Sequence, residues 1–142
     1  VNDTGLGEPS ALDLEFRGLP LLDSPWSVRF ARGTRDRRAL EVYNNGLLLD
    51  VMVETALATQ LLRGARRGCR DGRHSVLAWG HVCADGTAPS LTLGRAGTPL
   101  LGAITTPGGF WLALTDGDAD RVLAHAPDGT HAKLRVRAGW SR

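Results

Sequence analysis

The chain has 142 residues, 42% of them hydrophobic and 23% charged, with a formal net charge of +2. That length suits one domain with one core, and that composition excludes a disordered tail or a collagen-like polymer. No run approaches the ~18 apolar residues of a membrane-spanning helix, because the candidates near 47–53 and 100–105 are cut by Asp50 or bounded by Gly and Pro.

Residues 1–10, VNDTGLGEPS, are polar and lack periodicity, so they read as a linker before a single domain over 11–142. Leu12, Leu14 and Phe16 then alternate with Asp13, Glu15 and Arg17, the period of a half-buried strand, and Trp26, Val28 and Phe30 repeat it. Leu40 and Val42 follow, and Asn45-Gly46 signals a type I′ hairpin turn into Leu47–Val53. Between Val53 and Arg67 the spacing changes. Val53, Ala56, Leu57, Leu61 and Ala65 fall near helical intervals with Glu54, Gln60, Arg63 and Arg66 off that face, so one α-helix is expected near 53–67. Arg63, Arg66 and Arg67 would suit its C-terminal dipole, and Gly68 its C′ position.

After Arg73 alternation returns around Val76–Val82, Leu91–Leu93, Leu100–Ile104, Phe110–Leu114, Arg121–Ala126 and Ala132–Val136, separated by Gly, Pro and Asp turns. Asp85-Gly86-Thr87 followed by Leu91 and Leu93 recurs 43 residues later as Asp128-Gly129-Thr130 followed by Leu134 and Val136, which suggests paired hairpins. The expected fold is therefore mainly β: a β-sandwich of about eight to ten short antiparallel strands with one packed α-helix.

The small net charge hides a partition. Arg29, Arg32, Arg35, Arg37 and Arg38 against Asp36 give +4, Arg63, Arg66, Arg67, Arg70 and Arg73 against Asp71 give +4, and the rest of the chain carries −6. These clusters are the candidate basic binding patches, to be weighed against simple solvation of charged loops. Apart from Phe30 in the first, no aromatic residue interleaves either cluster to stack bases, which disfavours nucleic acid as the partner.

Cys69 and Cys83 are the only cysteines, and a disulfide between them is one expectation. It depends on the connection: a tight hairpin at Asp71-Gly72 would place Cys69 against His74 and strand Cys83 ~30 Å away, whereas an extended loop would let the span close. Asp116, Asp118 and Asp120 alternate as in calcium loops, but Arg121 stands where the sharp turn needs Gly and Pro127 where the closing acid belongs, so they read as an acidic hairpin turn. His125, Asp128 and His131 bracket the second Asp-Gly turn and are the candidate metal ligands. His81 and Cys83 share a strand face and point in parallel rather than converging as a nucleophile and its base must. Nucleophile-elbow, phosphate-loop, C-x-x-C and H-E-x-x-H signatures are absent. Trp26, Trp79, Trp111 and Trp140 could line a carbohydrate or peptide groove, but three lie among apolar neighbours where a core is the simpler use.

The segment Gly109–Leu114, then Ala119–Thr130, ending in Ala138-Gly139-Trp140, resembles the small β-rich ectodomains of exported or membrane-tethered actinobacterial proteins. The resemblance covers the last third of the chain. It implies a sensor, regulatory or scaffold module outside the membrane, with no obvious active site. The function expected is a non-enzymatic extracytoplasmic interaction or sensing module, needing no cofactor, whose arginine-rich face meets a protein partner or an anionic surface. A membrane association would come only through an anchor removed from, or absent before, Val1. Two rivals are a small metal-binding domain or metal-dependent enzyme using His125, Asp128 and His131, and a nucleic-acid-binding domain using the arginine clusters.

Overall fold

The computed structural model describes residues 19–21, 24–55, 59–94, 98–100 and 103–138. The linker at 1–10, the alternating segment at 12–17 and Trp140 lie outside the described residues. Among the described residues, thirteen strands form three sheets of mostly antiparallel strands. The first sheet holds β1 (Leu19–Pro20), β2 (Trp26–Arg32), β3 (Arg38–Asn44) and β4 (Leu47–Val53), in chain order. The second holds β5 (Gly64–Arg70), β6 (Arg73–His81), β9 (Ile104–Thr106), β10 (Phe110–Asp116) and β13 (Arg137–Ala138), ordered β13-β5-β6-β10-β9. The third holds β7 (Ser90–Leu93), β8 (Thr98–Leu100), β11 (Arg121–His125) and β12 (His131–Arg135), ordered β12-β11-β7-β8.

The second sheet is covered on both faces. Residues 75–81 of β6 are buried without interruption, and β10 opens with four buried residues. Continuous apolar runs rather than alternation are what a strand between two layers requires. One face places Leu77, Trp79, Phe110 and Leu112 against Trp26, Val28, Leu40, Val42 and Met52 of the first sheet. The opposite face packs Ala65, Val76, Ala78, Trp111 and Ala113 against Leu91, Val122, Ala124 and Val136, at the third sheet. A third sheet is what a two-layer sandwich lacks.

Among the described residues there is no α-helix, which corrects the expectation near 53–67. Residues 56–58 of that segment are not described, but Gly64–Arg67 belong to β5, which pairs with β6 from Gly64↔Trp79 to Arg70↔Arg73. The reason is packing. A Cβ on Gly64 would stand 2.2 Å from the Trp79 ring, and one on Gly68 would stand 2.9–3.0 Å from Pro25, Trp26 and Asn44. Gly64 is a seat for the neighbouring strand and Gly68 for the neighbouring layer, and tertiary packing overrides the helix propensity of the residues around them.

Three tryptophans are buried in the two cores, and each indole N–H has an acceptor. Trp26 donates to Ser75 Oγ at 3.1 Å, Trp79 to Asp50 Oδ2 at 2.8 Å and Trp111 to the Leu61 carbonyl at 2.8 Å. Burying each stabilises the fold by roughly 2–3 kcal/mol, provided that polar end stays satisfied. They are core residues and do not line a carbohydrate groove.

The turns follow their sequence signals where both central residues take positive φ. Asn45-Gly46 (φ 49 and 81) joins β3 to β4, and Asp71-Gly72 (φ 52 and 78) joins β5 to β6. The second of these excludes the Cys69–Cys83 disulfide. Cys69 faces His74 in the β5–β6 ladder, Cys83 lies nine residues further along, and both cysteines are free, Cys69 exposed and Cys83 buried. The pair therefore gives no argument for an oxidising compartment.

The two Asp-Gly-Thr segments fold alike. In each, the residue two before Asp accepts from the Gly N–H and donates to the Thr carbonyl, and the Asp carboxylate accepts from the Thr N–H. They connect different things, however. Asp128-Gly129 closes the β11–β12 hairpin, whereas Asp85-Gly86 carries the chain from the second sheet to the third, so only one copy is a paired hairpin. Asp116–Asp120 likewise crosses between β10 and β11 of different sheets, where a hairpin turn was expected.

Candidate anion-binding groove

β12 leaves the third sheet at Arg135 and reaches the second at Arg137, where β13 pairs in parallel with Arg66 and Arg67 of β5. Along β12, Ala132 and Leu134 pack on the core, so His131, Lys133 and Arg135 point outward. β11 does the same, turning Val122 and Ala124 inward and Arg121 and His125 outward. The register then sets Arg121 directly opposite Arg135, Leu123 opposite Lys133 and His125 opposite His131. Like charges facing each other across a ladder destabilise it.

A groove of about 690 Å³ opens here, lined by Arg67, Asp120, Arg121, Lys133, Leu134, Arg135 and Val136. Four cations face one carboxylate. Two of the cations are held by the scaffold. Arg67 donates from Nε to Asp118 Oδ1 at 2.9 Å and from a terminal nitrogen to the Ala119 carbonyl at 3.1 Å, and this hydrogen bond holds the Asp118 carboxyl below the usual carboxylate range. The stem of Arg121 runs over Gly94, whose N–H donates to the Arg121 carbonyl at 2.7 Å. A Cβ on Gly94 would stand 2.1 Å from Arg121 Cγ, so glycine there makes room for the arginine.

A second hollow, about 220 Å³, shares Leu134 and Arg135 with the first and continues past Arg63, Arg66 and Arg137 to Asp50 and Trp79. Arg63 is neutralised by a two-pronged ion pair with Asp50, at 2.9 and 3.0 Å, and Arg66 is steadied by the Ala138 carbonyl at 2.9 Å.

The sequence clusters divide in the structure. From the first, Arg29 pairs with Glu41 at 3.0 Å and Arg32 with Asp36 at 3.1 Å, while Arg35, Arg37 and Arg38 are exposed around the β2–β3 turn. From the second, Arg73 meets Asp116 at 3.6 Å, Arg63 and Arg67 are paired as above, and Arg70 is exposed beside the β5–β6 turn. The expected patches are therefore partly neutralised. Arg66 and Arg67 join instead with Arg121, Lys133, Arg135 and Arg137, none of which belonged to either cluster.

His125 and His131 do stack, ring centroids 6.2 Å apart at 26°. Asp128 is turned to the Thr130 N–H, a hydrogen bond that lowers its pKa. Among the described residues no three His, Cys, Asp or Glu side chains are placed to hold a metal. A cavity of about 480 Å³ is lined by His81, Cys83 and Asp128, but His81 Nδ1 accepts from the Gln60 N–H at 2.9 Å and Nε2 lies 3.0 Å from the Val53 carbonyl. Both ring nitrogens tie β6 to the segment leaving β4, so His81 is not free to serve the thiol as a base, and burial pushes the Cys83 pKa up. Comparisons with protein families, with curated proteins and with solved structures give no match to this chain.

Proposed function

We propose that this chain is a non-enzymatic binding module that seats an anionic group of a partner in the groove between Arg67, Arg121, Lys133 and Arg135. The observation that carries this reading is Arg121 opposite Arg135 in the β11–β12 ladder, in a groove where Arg121, Lys133 and Arg135 stand beside Asp120 and Arg67 is ion-paired with Asp118. Like charges at opposed positions of a ladder cost the isolated fold stability, and an anion bound beside them offsets that cost while using the planar donor fork of arginine. Arg67 and Arg121 are oriented before any ligand arrives, which lowers the entropy lost on binding.

Titration with tripolyphosphate tests the reading. Binding should be measurable at low ionic strength, weaken as salt rises, and fall roughly tenfold or more in Arg121→Ala. Equal binding by wild type and Arg121→Ala, or none by either, would contradict it.

A further inference from the structure

Arg137 stands beside Arg66 in the parallel pairing of β13 with β5, a second place where the register sets two arginines next to each other. Like charges at paired positions cost a ladder stability, and β13 is only two residues long. Arg66 is oriented by the scaffold, since it donates to the Ala138 carbonyl at 2.9 Å and so ties β5 to the end of β13. Arg67, the next residue along the strand, turns to the opposite face and bonds Asp118, so the Arg66–Arg137 pair lies apart from the groove that Arg67 lines.

Both arginines line the hollow of about 220 Å³, where the three sheets meet: β4 brings Asp50, β6 brings Trp79 and β12 brings Arg135. Asp50 is committed, because it accepts from the Trp79 indole and from two nitrogens of Arg63. That neutralises Arg63 and leaves Arg66, Arg135 and Arg137 as the cations of the lining. The hollow is smaller than the roughly 300–1,000 Å³ of a site for a sizeable organic ligand, so it suits one compact group. Three guanidinium forks are best matched by three acceptor oxygens, which a phosphoryl group presents and a carboxylate, with two, does not.

We infer that this hollow is a second anion seat, separate from the groove at Arg121, which takes one phosphate, free or as a monoester, beside Arg66 and Arg137 and fastens β13 to β5. The two seats share a wall at Leu134 and Arg135, and each takes its own anion. A phosphate here offsets the like charges of the β13–β5 pair, so it tightens the chain where it passes from the third sheet to the second.

Calorimetric titration of the full chain with inorganic phosphate, glycerol phosphate and acetate, at one ionic strength set with chloride, tests this together with amide exchange across Arg137 and Ala138. Phosphate should bind saturably and slow that exchange, and acetate should bind about tenfold or more weakly. Arg137→Ala should weaken phosphate binding about tenfold or more and abolish the protection. Without phosphate the same variant should melt no lower than wild type, because it removes a like-charge neighbour, and this separates a lost seat from a lost fold. Arg121→Ala should leave the protection in place. Tighter binding of glycerol phosphate than of inorganic phosphate supports a monoester as the ligand, and the reverse order supports the free ion. Protection lost in Arg121→Ala but kept in Arg137→Ala overturns the second seat and leaves the groove standing. Acetate binding as tight as phosphate overturns the choice of phosphate. No saturable phosphate binding overturns this seat, whereas the groove fails only if tripolyphosphate does not bind through Arg121.

Discussion

Gly64 lies directly opposite Trp79 in the β5–β6 ladder, and the side chain it lacks is the space that the indole fills. A methyl group there would sit 2.2 Å from a ring atom, and the ring cannot retreat, because its N–H is bonded to Asp50 at 2.8 Å. Gly64→Ala should therefore destabilise the protein by about 3 kcal/mol or more in urea unfolding. Gly33→Ala, where an added Cβ meets nothing closer than 4.0 Å, should change it by about 0.5 kcal/mol or less. Equal midpoints for the two variants would show that the Trp79 seat is not where it is described.

Asp50 joins three things: the Trp79 indole, the Arg63 guanidinium and the exposed edge strand β4. Asp50→Ala leaves the buried Trp79 N–H without its acceptor and removes the charge partner of Arg63, which keeps its hydrogen bond to Gln60 Oε1 at 2.7 Å, a loss of about 2–3 kcal/mol. Asp50→Asn keeps an acceptor for the indole and should recover part of that. Calorimetric melting of the two variants gives the comparison, and equal losses would mean that the indole bond contributes nothing.

The thiols should differ in rate and not in number. Cys69 is exposed, whereas Cys83 is buried with its pKa raised, first by that burial. A thiol reagent at neutral pH should modify Cys69 quickly and Cys83 only as the fold opens, with two thiols titrating in denaturant. Finding none in oxidised, unfolded protein would mean a bridge that the β5–β6 hairpin forbids.

Acid should loosen the crossover between β10 and β11. The Arg67 hydrogen bond lowers the Asp118 pKa in the folded protein, so the unfolded chain holds that proton more tightly. The stability this adds is complete above the ordinary carboxylate range and is lost as pH falls through the lowered folded value. Because both partners are substantially exposed, the effect is modest. Asp118→Asn should flatten the acid limb of a stability profile taken from about pH 6 to about pH 2. An unchanged limb would assign acid sensitivity elsewhere, with Asp85 and Asp128, both lowered by hydrogen bonds from threonine, the next groups to replace.

Much of the strand content was legible because alternation is a local signal. Trp26–Phe30, Leu47–Val53, Phe110–Leu114 and Arg121–His125 fall on strands. The number of layers was harder to read, since a central strand such as β6 is apolar on both faces, and only its unbroken burial shows that a third sheet covers it. The helix expected near 53–67 failed for a non-local reason: Gly64 and Gly68 are vacated for Trp79 and Trp26, residues distant in the chain. The groove was within reach. The hairpin that sets His125 against His131 also sets Arg121 against Arg135 four residues along, and Lys133, Arg135 and Arg137 repeat at a period of two. Counting charge in runs favoured Arg29–Arg38 and Arg63–Arg73 and passed over cations that only the register gathers.

The Arg121–Arg135 juxtaposition makes stability and binding pull in opposite directions. Arg135→Glu turns a repulsive cross-strand pair into an attractive one, so the direct test is to measure unfolding free energy and polyanion affinity on that one variant in the same buffer. The fold should gain up to about 1 kcal/mol while binding is lost. A variant that is less stable, or that binds as tightly as wild type, would contradict the assignment of this groove to an anion.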